Sequence, residues 1–327
     1  MKLIDLNCIT EGRSLFMGLA ILWIIAVHYS FLYDTPIGLL FKNGYLGVDI
    51  FIMLSAFGLC FSLSKGCSYI EFIKKRLKRI IPTWWVLISI CLIINILLEN
   101  NHPQNLFQFL CYYSGIGWWF FHNEPYGIYY YEWYIPTLLL FYIFTPLLYK
   151  LSNTKIITIY ILSIICAVTL LRLGIDNRLS LSYERIPTFI SGIILFKIWK
   201  GDINNKISIP LLYLFSIIGI IGIICFLGFG ILGPLYKHCF TFSLPLLLTL
   251  CNLLIKGILV KIISFIGSLT LELYLLHIYD LPLTYIMNFI ENRTIAIIIT
   301  TIILIGIAYV INKSIEKITT FIVASKS

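Results

Sequence analysis

Charge is scarce in this chain of 327 residues: only 12% are Asp, Glu, Lys or Arg, against ~25% in ordinary soluble proteins. Acidic residues are fewest, 15 against 24 basic ones, while 60% of the chain is hydrophobic. That balance excludes a soluble globular protein and leaves a polytopic membrane protein. The nine cysteines include no CxxC pair, so neither a disulfide framework nor a metal site is indicated. Most fall in apolar segments, where a thiol behaves as a small hydrophobe. No convincing internal repeat, the mark of many transporters, is present. The first apolar stretch is long enough to span and is followed by many others, so it reads as a retained helix rather than a cleaved leader.

What the chain does have is a series of apolar runs of membrane length, about 17–25 residues. Ten helices are expected: Leu15–Tyr33, Tyr45–Ser64, Ile80–Leu98, Trp133–Tyr149, Ile156–Leu173, Arg185–Trp199, Ile209–Phe229, His238–Ile255, Ile262–Asp280 and Thr294–Ile311. The fold class is therefore all-α, one transmembrane domain over residues 1–327. Placing both termini in the cytoplasm puts 18 of the 24 basic residues there. Six are left outside: Lys42, Arg172, Arg178, Arg185, Lys237 and Arg293. Basic residues near helix ends favour the cytoplasm, so the +9 net charge sets orientation and does not point to nucleic acid.

Three titratable residues, His28, Asp49 and His277, interrupt these runs. At 1.5 Å per residue, His28 is expected about 7–8 Å inside the outer end of the first helix, Asp49 about 6 Å and His277 about 4–5 Å. Ionisable groups in hydrocarbon usually mark a substrate path, proton relay or catalytic centre, though a single one also arises as a local hydrogen-bonding partner between helices. Three at matched depth favour a site open to the extracytoplasmic face. His102, His122 and His238 fall at loops or interfaces and read as solvated.

Five segments, taken in order, are similar to one family. "GLAILWIIAVHYS" supplies the His28 of a first helix, and "GYLGVDIFIMLSAFGLCFSL" (Gly44–Leu63) carries a glycine-valine-aspartate motif leading into a near-LSGF string. "FIKKRLKRIIPTWW" (Phe72–Trp85) is a basic connector; "EWYIPTLLLFYIFTPLL" (Glu132–Leu148) and "GSLTLELYLLH" (Gly267–His277) follow. Together they resemble the acyltransferase-3 family of integral membrane O-acyltransferases, of the polysaccharide O-acetyltransferase type. The resemblance implies a multi-pass protein of the bacterial plasma membrane. It implies transfer of an acyl group, commonly acetyl, from cytoplasmic acyl-coenzyme A (acetyl-CoA) to a hydroxyl of an extracytoplasmic glycan: capsule, exopolysaccharide or lipopolysaccharide. Acyl-CoA is then a donor substrate and no permanently bound cofactor is expected. The length leaves no room for the soluble hydrolase-like domain that some members carry. Partners are acyl-CoA, glycan and bilayer, with self-association left open.

Within that resemblance, His28 is the expected base, since an imidazole titrates near neutral pH. Asp49 is expected to orient it and steady its charged form. His277 is expected to bind the acceptor, polarise the thioester or share the proton; an acyl-histidine is a further route. Two positions depart from the family. Its arginine eleven residues before the histidine is Met17 here, with Arg13 one turn away on the same face, and the glycine of its LSGF string is Ala56. Arg13 is thus a candidate for a donor phosphate. Arg76 and Arg79 are others because arginine binds phosphate bidentately, although such basic runs also anchor helices on anionic lipid. Glu132, Trp133, Arg185 and Glu272 are candidate acceptor-side residues. The aromatic loop Glu99–Glu132 reads first as an interfacial belt. A glycan or lipid-linked precursor flippase and a catalytically silent relative are the competing expectations.

Overall fold

A computed structural model of the chain describes residues 4–29, 38–98, 103–121, 133–174, 177–229, 235–277, 286, 289–290 and 292–324. Those residues are helical and include no strand. In chain order the helices are α1 (Asn7–Glu11), α2 (Arg13–Val27), α3 (Gly38–Lys42), α4 (Gly47–Ser64), α5 (Tyr69–Leu98), α6 (Leu106–Tyr113), α7 (Gly117–Phe121) and α8 (Tyr134–Lys150). They continue with α9 (Asn153–Arg172), α10 (Asn177–Tyr183), α11 (Ile186–Lys200), α12 (Asn205–Phe229), α13 (Tyr236–Leu254), α14 (Ile258–Ser268), α15 (Thr270–Leu276) and α16 (Arg293–Ala324). A 3-10 turn, Gly44–Leu46, leads into α4.

Each of the ten apolar runs overlaps a helix, but among the described residues only six helices are long and apolar enough to cross a membrane. A seventh appears if the broken pair α14 and α15 counts as one span. Helix α2, with 15 residues, α8, with 17, and α11, with 15, stop short. The reasons are local. The first helix ends at Val27, not Tyr33, because the backbone tightens into i→i+3 bonds, His28 N to Ile25 O at 3.2 Å and Tyr29 N to Ala26 O at 3.1 Å. Such bonds close a helix end. Helix α11 stops at Gly201, whose φ of +86° is the left-handed conformation of a helix stop.

Other boundaries move outward. The third helix begins at Tyr69 rather than Ile80, started by a capping box: Ser68 N donates to Glu71 Oε2 at 3.1 Å and Glu71 N to Ser68 Oγ at 3.4 Å. The basic run Lys74–Arg79 is therefore helical and not a connector. The last helix likewise runs past Ile311 to Ala324.

The described residues form two compact units, Met1–Ile73 with Leu139–Ser268, and Lys74–Leu138 with Leu269–Ser327. In the first, helices meet through small residues. A Cβ on Gly18 would fall on Ile263 O, and one on Gly267 would fall on Ser14 O, so α2 and α14 touch backbone to backbone. Close approach of this kind replaces the hydrophobic drive that lipid does not supply. Helix α4 is enclosed along most of its length, whereas α9 and α12 turn most of theirs outward, the all-round apolar character of a membrane span. In the second unit α7 packs on α6, and α6 is tied to α5. Trp84 Nε1 donates to Tyr112 O (3.1 Å) and Trp85 Nε1 to Tyr113 O (3.0 Å), both carbonyls of the last turn of α6, where a helix leaves acceptors available. The described part of the aromatic loop is thus folded: Tyr112 and Trp118 are buried while Phe107 and Phe120 face outward.

Candidate functional site

Glycines decide where Asp49 sits. A Cβ at Gly44 would strike Trp23 O and lie 2.9 Å from Val27 Cβ, and one at Gly47 would lie 2.7 Å from Ala20 O. The Gly44–Gly47 segment therefore lies directly against the last turns of α2. That contact lays the first turn of α4, which holds Asp49, along the last turns of α2, the helix that His28 caps. Asp49 is buried, and a carboxylate in a first helical turn is favoured by the helix dipole by about 0.3–1 kcal/mol. His28 is exposed at the C-cap. The expected depth of 7–8 Å is corrected, because it assumed six more residues of helix.

Arg185, the N-cap residue of α11, is 2% exposed and places its Nε 3.2 Å from Asp49 Oδ1. Its Nη1 lies 3.6 Å from Glu184 Oε2, the oxygen that Lys237 Nζ also bonds. Thr188 Oγ1 donates to Asp49 Oδ1 at 3.2 Å and shares a 2.9 Å hydrogen bond with Thr241 Oγ1. The Lys237 ammonium lies 5.8 Å from the Tyr45 ring centre. Two carboxylates and two cations thus cancel at one end of the unit, where α4, α11 and α13 all begin. Cations at two helix N-termini oppose the dipoles there, so their carboxylate partners, not helix stability, account for their position. Asp49 Oδ2 is buried and accepts no hydrogen bond among the described residues. An unsatisfied buried carboxylate oxygen is costly, so this atom can take a donor proton at little further cost.

The opposite end of α2 and α4 differs. Arg13 opens α2, and a Cβ on Gly58 would lie 3.0 Å from its Cζ and 3.1 Å from both terminal nitrogens. The bare backbone at Gly58 is what seats that guanidinium. Phe57 and Phe61 of α4 form an aromatic cluster with Phe196 and Trp199 of α11, Phe61 lying 5.0 Å from Phe196 and 5.1 Å from Trp199 between ring centres. Lys197 is buried there and donates to Leu151 O at 2.6 Å. Two residues before Gly58, the Ala56 methyl is accommodated by a glycine: a Cβ on Gly192 would lie 2.8 Å from Ala56 Cβ.

The second unit holds the remaining candidates. His277 is buried at the C-cap of α15, with Nδ1 2.6 Å from Tyr274 O and 3.3 Å from Leu273 O. A carbonyl only accepts, so Nδ1 carries the proton and Nε2 of the neutral ring is the basic nitrogen. The ninth apolar run was expected to be one helix to Asp280; it is broken at Leu269 instead, and α15 ends at Leu276. Glu272 is buried and accepts from Thr83 Oγ1 (3.5 Å) and Asn312 Nδ2 (3.1 Å), both neutral. Trp133 is buried beside Tyr134, whose ring lies 4.7 Å from that of Tyr274. Arg76 and Arg79 stand three residues apart on one face of α5, Arg79 exposed and Arg76 half-buried. Glu132, His102 and His122 lie outside the described residues.

Of the ten candidates, the structure joins Asp49 to Arg185 directly. Sequence reasoning missed Glu184, Thr188, Lys237 and Thr241, and it misplaced His238, which is buried rather than solvated because it lies in the first turn of α13. A usable signal was present. Arg185 and Lys237 are two of the six cations left on the wrong side of the charge bias, and a cation against that bias needs a partner.

A family model described as an acyltransferase domain matches residues 15–313. No curated protein and no solved structure matches the chain.

Proposed function

The chain belongs to this acyltransferase family, and from that premise we propose that it moves an acyl group, acetyl foremost, from acyl-coenzyme A to a hydroxyl of an extracytoplasmic glycan. The Asp49 end of α2 and α4 is the acceptor end and faces outward; the Arg13 end faces the cytoplasm and receives the donor. The excess of cytoplasmic basic residues supports this orientation. The observation that carries the reading is the buried Asp49–Arg185 pair in the first turn of α4, packed along the last turns of the helix that His28 caps.

In the proposed reaction the His28 imidazole takes the proton of the sugar hydroxyl as its oxygen attacks the thioester carbonyl. The new C–O bond forms, the C–S bond breaks, and the coenzyme A thiolate leaves with the electron pair and takes up the proton. Arg185 and Thr188 hold one Asp49 oxygen, leaving Oδ2 to accept from the imidazole or the attacking hydroxyl. His277, with its Nε2 lone pair fixed by the Tyr274 carbonyl, binds the acceptor or shares the proton. Glu132, Trp133 and Glu272 support the acceptor side. Arg13, Arg76 and Arg79 bind the phosphates of the donor, Arg13 standing in for the family arginine that Met17 replaces.

The test is sided. Protein reconstituted in vesicles receives labelled acetyl-CoA on one face and candidate glycans on the other. Covalent label on glycan only when donor is on the Arg13 side supports the reading. Glycan crossing without acylation would assign a flippase. Neither event, with folded protein, would assign a silent relative.

A further inference from the structure

Helices α9, α11, α12 and α13 of the first unit enclose a cavity of about 540 Å³, walled by Tyr160, Ile194, Leu211 and Phe215 among others and almost wholly apolar. That volume falls within the ~300–1,000 Å³ of small-molecule sites. Two of its walls, α9 and α12, are the spans that turn most of their side chains outward, so the cavity borders hydrocarbon rather than water. An apolar cavity left empty loses the dispersion contacts that a filled one makes, and water gains nothing there. The occupant at hand is a lipid chain.

Two further features set its polarity. One end of the cavity is the turn at Ile203 and Asn204, where Asn153 Nδ2 donates to Asp202 O at 2.8 Å and ties α9 to the start of α12. Lys200, also there, is paired with Asp202 at 3.6 Å. One turn inward, about 6 Å from Asn204, the wall includes Ser208, 5% exposed, whose hydroxyl has no hydrogen-bond partner among the described residues. A buried hydroxyl left so costs about 1–3 kcal/mol, and an ester oxygen at that depth would satisfy it. At the far end the wall is Thr241, which hydrogen-bonds Thr188 of the ion cluster.

We infer that this cavity is a seat for one chain of a phospholipid drawn from the bilayer, with an ester oxygen at Ser208 and its tail reaching Thr241. The seat is independent of the acyl-transfer reading. A lipid held there would brace Thr241, and through Thr188 the carboxylate of Asp49.

The experiment uses full-length protein in nanodiscs containing a phosphatidylglycerol whose acyl chain carries a diazirine. Cross-links are mapped by peptide mass spectrometry. Labels should concentrate on the cavity faces of α9, α11 and α12. Ile194→Trp with Leu211→Trp should cut them by about tenfold, equivalent to ~1.4 kcal/mol of lost affinity, while labelling at outward-facing Ile302 stays unchanged and reports an intact fold. If that pair misfolds, Ile194→Phe alone should give a smaller loss with the same Ile302 control. Ser208→Ala should lower cavity labelling several-fold with the Ile302 label unchanged. Uniform labelling along all outward faces, or undiminished cavity labelling in a folded filled variant, would overturn the seat. Cavity labelling unchanged by Ser208→Ala would overturn the place of the ester oxygen.

Discussion

The two ends of the α2–α4 pair are built on opposite electrostatic plans. At the Asp49 end two carboxylates and two cations neutralise one another behind glycines that press the backbones together. At the Arg13 end a guanidinium rests on bare backbone at Gly58, and the neighbouring α4–α11 contact is aromatic. The first plan fixes side chains in place and leaves one carboxylate oxygen open. The second seats a guanidinium against backbone, and in the proposed reading it receives the donor. Chemistry on a neutral hydroxyl suits the first end, and a polyphosphate donor suits the second.

The comparison breaks most readily at the ion pair. Arg185→Met leaves Asp49 buried without its cation and should destabilise the protein by about 3–5 kcal/mol. Adding Asp49→Leu should recover most of that stability but none of the acyl transfer. Thermal unfolding in detergent, beside label transfer, separates the two effects. A double variant as unstable as the single would show that the pair is not the dominant interaction there.

A smaller effect is expected where α4 meets α11. Gly192→Ala drives a methyl onto the Met53 carbonyl and should cost about 1–3 kcal/mol by overpacking. Ala56→Gly in the same chain should return only a minor part of it, because the carbonyl is backbone. Recovery of most of the loss would show that the Ala56 methyl, 2.8 Å away, sets the contact instead.

The smallest expected change lies at the donor end. Arg13→Gln should raise KM for acyl-CoA about tenfold, the ~1.4 kcal/mol scale of a lost charged hydrogen bond, with kcat little altered. A fall in kcat at unchanged KM would place Arg13 in the chemistry instead and dissolve the contrast between the ends.

Much of the architecture was legible because apolar runs report burial or lipid, and all ten runs overlap helices. Their ends were not, because composition does not report hydrogen bonding. The run to Tyr33 hid the tightening at His28, and the lysines of residues 74–79 hid eleven residues of helix that the Ser68–Glu71 box starts. Asp49 could be singled out because a carboxylate in an apolar run is conspicuous. Its partners could not be, since Thr188 lies 139 residues away and only folding joins them. Lys237 was visible as an exception to the charge bias, but pairing it with Glu184 needs the start of α13 beside the start of α11. Among the described residues six helices, or seven with the broken pair, are long and apolar enough to cross a membrane, since α2, α8 and α11 have only 15, 17 and 15 residues.

The account rests most heavily on His28 at the Asp49 end. Its most direct test is label transfer from acetyl-CoA to glycan by reconstituted wild-type protein and by His28→Ala at equal protein level. General-base loss predicts a fall of about 10²–10⁴-fold in rate with unfolding temperature unchanged. Transfer at the wild-type rate by the folded variant would contradict it.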